Sequence, residues 1–128
     1  MGAAESRRGL NFDQISFNSV GKHIDPRLFE LFLSQNRVAR NVYLSWSQLG
    51  DGGARSLAKA LRTNACIRVL DLASNNIGDA GALALARSIS FNQGLRLEEL
   101  SLENNVITDV GAGQLVCMQK LYSVNVCF

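Results

Sequence analysis

Few side chains in this 128-residue sequence could support catalysis. His23 is the only histidine, and the three cysteines, Cys66, Cys117 and Cys127, show no CxxC spacing. Acid–base and thiolate chemistry both need an oriented partner, and these spacings define no such dyad. We therefore expect a structural or solvated role for His23, packing roles for the cysteines, and no enzymatic activity.

Three aspartates could be mistaken for a metal site. Asp51, Asp79 and Asp109 each precede a recurring glycine by two residues. Because they fall in successive units of a repeat, we expect their carboxylates to be a unit's width apart and to cap helix N-termini. The glycine-rich segment 50–53 lacks the Lys-Ser/Thr of a phosphate loop. The sequence thus predicts neither a metal nor a cofactor.

The composition excludes other classes of partner. Thirteen basic and eleven acidic residues give a net charge of only +2, too little for broad attraction to nucleic acid or anionic membrane. No apolar run approaches 18 residues, and the odd cysteine number favours a reducing, cytoplasmic compartment. The N-terminus matches M-G-x-x-x-[ST], so weak membrane contact is expected only if Gly2 is myristoylated. The alternative is a flexible leader over residues 1–8.

A repeat explains most of the remaining sequence. The pattern L-x-L-x-x-N-x-I occurs at 70–77 and again at 100–107, and a related unit starts at Val42. In each unit, apolar alternation at period two predicts a strand, and helical spacing follows. The turn after the strand carries a polar residue that we expect to satisfy backbone groups. These structural turn residues are Ser47, Asn75 and Asn105.

These units resemble leucine-rich repeats of the ribonuclease-inhibitor type, the class found in Ran GTPase-activating proteins, tropomodulins and the sensor regions of NOD-like receptors. The resemblance implies an α/β fold: a short right-handed solenoid with parallel strands on its concave side and helices on its convex side.

The regular repeats are predicted over residues 37–118. We interpret residues 9–36 as a degenerate N-terminal repeat or cap, in which Leu10 takes the strand position of Val42. In that alignment Ile15 replaces the turn asparagine.

The C-terminal end is less regular. Gln119 stands where an apolar helix residue is expected, which predicts a short third helix. Residues 119–128 then form a partial strand with Val124 in the position of Leu100. A fragment of a longer array, a variant C-terminus and an edge covered by another subunit would each explain this end, and we favour the first.

The resemblance places the residues that alternate with the buried strand positions on the concave face, where they could bind a protein partner. Acidic and aromatic side chains dominate this set, which favours a partner with a basic surface. The alternative is that they are ordinary solvated residues. The candidate binding residues are Tyr43, Trp46, Asp71, Glu99 and Glu103.

The predicted function is a non-catalytic protein–protein interaction module. The alternatives are a small-GTPase regulator resembling Ran GTPase-activating protein, and a fragment of a larger leucine-rich repeat sensor or cytoskeletal protein.

Overall fold

Strands and helices alternate along the chain in a computed structural model that describes residues 14–16, 26–35, 39–122 and 124–128. The candidate residues Gly2 and His23 lie outside these ranges. The strands are β1 (Gln14–Ser16), β2 (Asn41–Tyr43), β3 (Val69–Asp71), β4 (Glu99–Ser101) and β5 (Asn125–Cys127). The helices are α1 (Pro26–Gln35), α2 (Gly50–Leu61), α3 (Asp79–Phe91) and α4 (Asp109–Tyr122).

The strands form one parallel sheet in the order β1-β2-β3-β4-β5, and each helix packs against the helix of the next coil. Strand residues alternate between two faces, so the central residue of each strand points to one side and its neighbours to the other. The central residues Val42, Leu70, Leu100 and Val126 are buried. This two-layer arrangement confirms the predicted α/β leucine-rich repeat solenoid.

The core lies between the sheet and the helices, and each regular repeat contributes to it through the same positions. In the second of these repeats, the strand and turn bury Leu70, Leu72 and Ile77, and the helix buries Leu85. Full burial of one such side chain stabilises a fold by roughly 1.5–3 kcal/mol. The recurrence of leucine and isoleucine at these positions therefore supplies the main stabilising free energy.

The N-terminal alignment was wrong by five residues. Ile15, and not Leu10, lies opposite Val42 in the parallel register of β1 and β2. Ile15 therefore takes a strand position instead of replacing the turn asparagine. The spacing of 27 residues from Ile15 to Val42 keeps the first coil close to the length of its neighbours. Leu33 accordingly lies 28 residues before Leu61, and both are buried.

Two predictions for the C-terminal end were also wrong. Helix α4, with 14 residues, is not short, because Met118 supplies the buried contact that Gln119 does not. The predicted strand exists as β5, but Val126 lies opposite Leu100, two residues later than expected.

Candidate interaction surface

The sheet face turned away from the helices, here called the open face, displays two rows of side chains. One row runs through Asn41, Val69, Glu99 and Asn125, and the other through Tyr43, Asp71, Ser101 and Cys127. Neighbouring strands in a sheet lie about 4.8 Å apart, so side chains in one row belong to a continuous surface.

Strand pairing continues beyond the ends of the strands and adds a third row. The Leu44 N–H donates to the Asp71 carbonyl at 2.8 Å, and the Leu72 N–H to the Ser101 carbonyl at 2.9 Å. The Ser74 N–H then donates to the Glu103 carbonyl at 2.9 Å. This pairing places Glu103 on the same face as Glu99.

The structure brings the five candidate binding residues to one side of the molecule. Trp46, Glu99 and Glu103 are exposed, while Tyr43 and Asp71 are half-buried. Both aromatic rings lie on the first regular coil, and the three carboxylates lie on the next two coils. The Ala73 N–H donates to Asp71 Oδ1 at 3.0 Å, which holds that carboxylate near its own backbone.

Trp46 occupies an unfavourable backbone conformation. Its φ is 60°, close to the 57° of Ser74 and the 55° of Asn104 at equivalent turns. The left-handed region costs a residue with a Cβ roughly 1–2 kcal/mol, and short polar residues tolerate it best. The Trp46 side chain is nevertheless 53% exposed, so burial of its ring does not fully offset that cost.

The turn asparagines join successive coils. Asn75 Oδ1 accepts hydrogen bonds from the N–H groups of Ser47 at 2.8 Å and Leu49 at 3.4 Å, and Asn75 Nδ2 donates to the Leu44 carbonyl at 2.8 Å. Asn105 Oδ1 accepts from the Asn75 N–H at 3.0 Å. Each amide thus satisfies backbone groups of the preceding coil, which fixes the edge of the open face.

The helix-cap prediction was wrong in its partner. Leu49 and Gly78 occupy the N-cap positions of α2 and α3, and neither helix has a side-chain cap. Asp51 Oδ1 instead accepts from the N–H groups of Gly78 at 2.7 Å and Gly81 at 3.0 Å, in the next coil. Capping by these aspartates therefore joins neighbouring helices.

Asp79 repeats this contact one coil further on. Its Oδ1 accepts from the N–H groups of Thr108 at 2.8 Å and Gly111 at 3.1 Å, and its Oδ2 accepts from the Thr108 hydroxyl. The Thr108 hydroxyl and N–H lower the pKa of Asp79, desolvation opposes them, and the Gly111 N–H adds to the lowering. The carboxylate of Asp109 is exposed and accepts no hydrogen bond from the part of the chain that the structure describes.

The recurring glycines are needed beside these carboxylates, not beside the sheet as expected. A Cβ added at Gly81 would lie 2.8 Å from Asp51 Oδ1 and 2.7 Å from Ile77 Cγ2. A Cβ at Gly111 would lie 2.5 Å from Asp79 Oδ1. Glycine is therefore required at both positions for the aspartate of the preceding coil to reach the helix N-terminus.

Sequence reasoning missed a second pair of inter-coil amides. Asn64 Nδ2 donates to the Leu33 carbonyl at 2.8 Å, and Asn92 Nδ2 donates to the Leu61 carbonyl at 2.7 Å. Both amides satisfy a carbonyl at the C-terminal end of the preceding helix, where carbonyls lack intrahelical partners. Their 28-residue spacing was the available signal.

The cysteines are less buried than predicted. Cys66 and Cys127 are half-buried and Cys117 is exposed on α4, and all three are free thiols. Among the described residues, no group of three or more histidine, cysteine, aspartate or glutamate side chains could hold a metal ion. Within the same residues, no helix is long and apolar enough to span a membrane.

Comparisons with known proteins agree with this architecture. The model of the Leucine Rich repeat family matches residues 40–58, 63–86 and 97–116. The chain is a leucine-rich repeat protein, of the kind in which every repeat carries a full helix.

A solved structure of the leiomodin-1 actin-binding site 2 is similar to it, with a TM-score of 0.76 and 24% sequence identity over 91% of this chain and 70% of that one. That likeness shows the fold. A sequence search of curated proteins finds no match.

Proposed function

We propose that the protein is a non-catalytic interaction module that binds a protein partner on its open face. The observation that carries the proposal is the register that gathers Tyr43, Asp71 and Ser101 into one row, with Glu99 and Glu103 on either side. Solenoids of stacked repeats commonly use such an extended surface for binding.

The composition of the open face indicates the chemistry of the partner. Its three candidate carboxylates have no lysine or arginine beside them in the rows defined above, so we expect a partner with a basic surface. Tyr43 and Trp46 are of the residue types that most often dominate binding free energy. Because inter-coil hydrogen bonds already fix the turns, little conformational entropy is lost on binding.

Site-specific crosslinking tests which face binds. A photoreactive amino acid at Ser101 lies in the middle of the open face, and the same group at Ser90 on α3 is the matched control on the helix side. We expect a discrete crosslinked partner from Ser101, lost when Glu99 and Glu103 are replaced by lysine. Equal crosslinking from Ser90 and Ser101 would contradict the proposal.

Actin is the first candidate partner. The likeness to the actin-binding site of leiomodin-1 supports testing it, together with the expectation that the chain belongs to a larger cytoskeletal protein. Co-sedimentation with filamentous actin and anisotropy with monomeric actin would measure binding. We expect Trp46→Ala and Glu103→Lys to weaken it at least tenfold. Wild-type protein that ignores both actin forms would remove actin and leave the open face untouched.

Regulation of a small GTPase stays a prediction, since no feature of the described residues favours it. Acceleration of GTP hydrolysis by the purified protein would establish it. A cytoplasmic location is part of the proposal, as is the absence of a cofactor.

A further inference from the structure

A basic groove runs between α2 and α3, on the side of the molecule opposite the open face. It encloses about 240 Å³. Its floor is formed by Ala58, Ala84 and Ser88. Four exposed cationic side chains line it: Arg55, Lys59, Arg62 and Arg87.

The fold does not account for these four charges. None of them forms an ion pair with a carboxylate among the residues that the structure describes. Arg55 and Lys59 are four residues apart on α2, a spacing at which like charges destabilise a helix. The acidic residues of α2 and α3, Asp51 and Asp79, are engaged in inter-coil hydrogen bonds. The groove is thus a concentrated positive surface without an internal counter-charge.

An apolar groove lies directly beside it, between α3 and α4. It encloses about 620 Å³ and includes Leu83, Phe91 and Met118 in its lining. Phe91 is 66% exposed, and the guanidinium of Arg62 lies 5.2 Å from the centre of its ring. Arg87 lines both grooves. The two grooves therefore form one surface, basic on one side and apolar on the other.

We infer that this helix side is a second docking surface, which takes an acidic amphipathic helix from another protein. Neighbouring packed helices lie 8–10 Å apart, so the two grooves are separated by about the width of one docked helix. Carboxylates on one face of that helix meet Arg55, Lys59 and Arg87, while its apolar side chains cover Phe91 and Met118. Nucleic acid would satisfy the cations but would leave the apolar groove exposed to water.

A designed peptide tests this inference independently of the open face. The probe is a fluorescein-labelled 18-residue helix with glutamates along one face and leucines along the other. Its control is a scrambled peptide of the same composition. We expect the anisotropy of the patterned peptide to report saturable binding that weakens as salt rises, because the contact depends on exposed charges.

Charge reversal locates the site. Lys59→Glu with Arg87→Glu is predicted to weaken binding of the patterned peptide at least tenfold. Arg40→Glu with Arg96→Glu makes the same change in net charge at exposed positions outside the grooves, and we expect less than a twofold effect. Circular dichroism checks that all variants are folded, which is expected because every altered side chain is exposed.

A second pair of variants tests the apolar half. Phe91→Ser is predicted to weaken peptide binding about fivefold, whereas Val106→Ser, at an exposed position outside the grooves, leaves it unchanged. Three results would overturn the inference: equal binding of the scrambled peptide, tighter binding of a 12-base-pair DNA duplex than of the patterned peptide, or self-association abolished by Lys59→Glu with Arg87→Glu. The last would identify a second copy as the occupant.

Discussion

Trp46 is the residue whose conformation is hardest to explain by stability alone. It holds a φ of 60° at a turn where the equivalent residue of the third regular coil is Asn104, with a φ of 55°. A bulky side chain in this region is unfavourable, whereas asparagine tolerates it. Exposure and strain together are what a binding residue would show, and a residue retained for folding would show neither.

Replacement of Trp46 by asparagine separates the two roles. We expect Trp46→Asn to leave the free energy of unfolding unchanged or to raise it by up to about 1 kcal/mol, because backbone strain is relieved. The same substitution should weaken binding of an open-face partner at least tenfold, because an aromatic anchor is lost. Urea denaturation and titration would measure the two effects. A clear loss of stability with unchanged affinity would assign Trp46 a structural role.

Asp79 should make stability depend on acidity. Its pKa is lowered in the folded protein, chiefly by the Thr108 hydroxyl and N–H. The stabilisation is therefore complete above the ordinary aspartate pKa of 3.8 and is lost as the pH falls below that value towards the folded-state pKa. We expect Asp79→Asn to lower stability at pH 7 and to flatten its decline between pH 4 and pH 2.5. Urea denaturation across this range would measure both.

The control for that measurement is Asp109→Asn, because the Asp109 carboxylate is exposed and has no described hydrogen-bond donor. Its denaturation curve should follow the wild type at every pH. If Asp79→Asn showed the same acid-dependent decline as the wild type, other carboxylates would have to carry the effect.

Sequence reasoning identified these residues more readily than their partners. The turn positions of Asn75 and Asn105 follow from the repeat alone. The partners of Asp51 do not, because the N–H groups of its own helix and of the next coil are both compatible with the same spacing. Only the three-dimensional stacking of coils determines which donors the carboxylate reaches.

At the level of elements, contact between neighbouring helices depends on the recurring glycines. Gly81→Ala would bring a Cβ to 2.9 Å from Ala54 Cβ and 2.8 Å from Asp51 Oδ1. We expect it to lower the free energy of unfolding by about 2 kcal/mol or more, through overpacking and loss of the inter-coil cap. Thermal and urea denaturation would measure this change.

Gly113→Ala provides the matched control within a helix. Nothing lies within 4 Å of the Cβ it would add. We expect it to raise stability by about 0.5–1 kcal/mol, because alanine loses less conformational entropy than glycine in a helix. Similar destabilisation by both substitutions would mean that close contact at Gly81 is not the cause.

The alternation of strands and helices was predictable for the three regular coils, because each contains both apolar periods. The ends were not. Leu10 and Ile15 each begin an apolar pair at period two, so the strand pattern fits either one, and only pairing with β2 selects Ile15. At the other end, Met118 rather than Gln119 reaches the core, since a helix can present adjacent positions to the same surface.

For the whole molecule, the small net charge conceals a separation of charges. The candidate carboxylates Asp71, Glu99 and Glu103 lie on the open face, and the basic groove lies on the helix side. The sequence predicted this division once the repeat was recognised. It did not predict the groove between α3 and α4, because the depth of a groove depends on how the helices pack.

Hydroxyl-radical footprinting, with and without the partner that crosslinks to Ser101, tests the central proposal most directly. Aromatic oxidation reports the exposure of Tyr43 and Trp46 on the open face, and of Phe91 on the helix side, in one experiment. The account predicts that the partner protects Tyr43 and Trp46 and leaves Phe91 as reactive as before. Protection of Phe91, with Tyr43 and Trp46 still fully reactive, would contradict it.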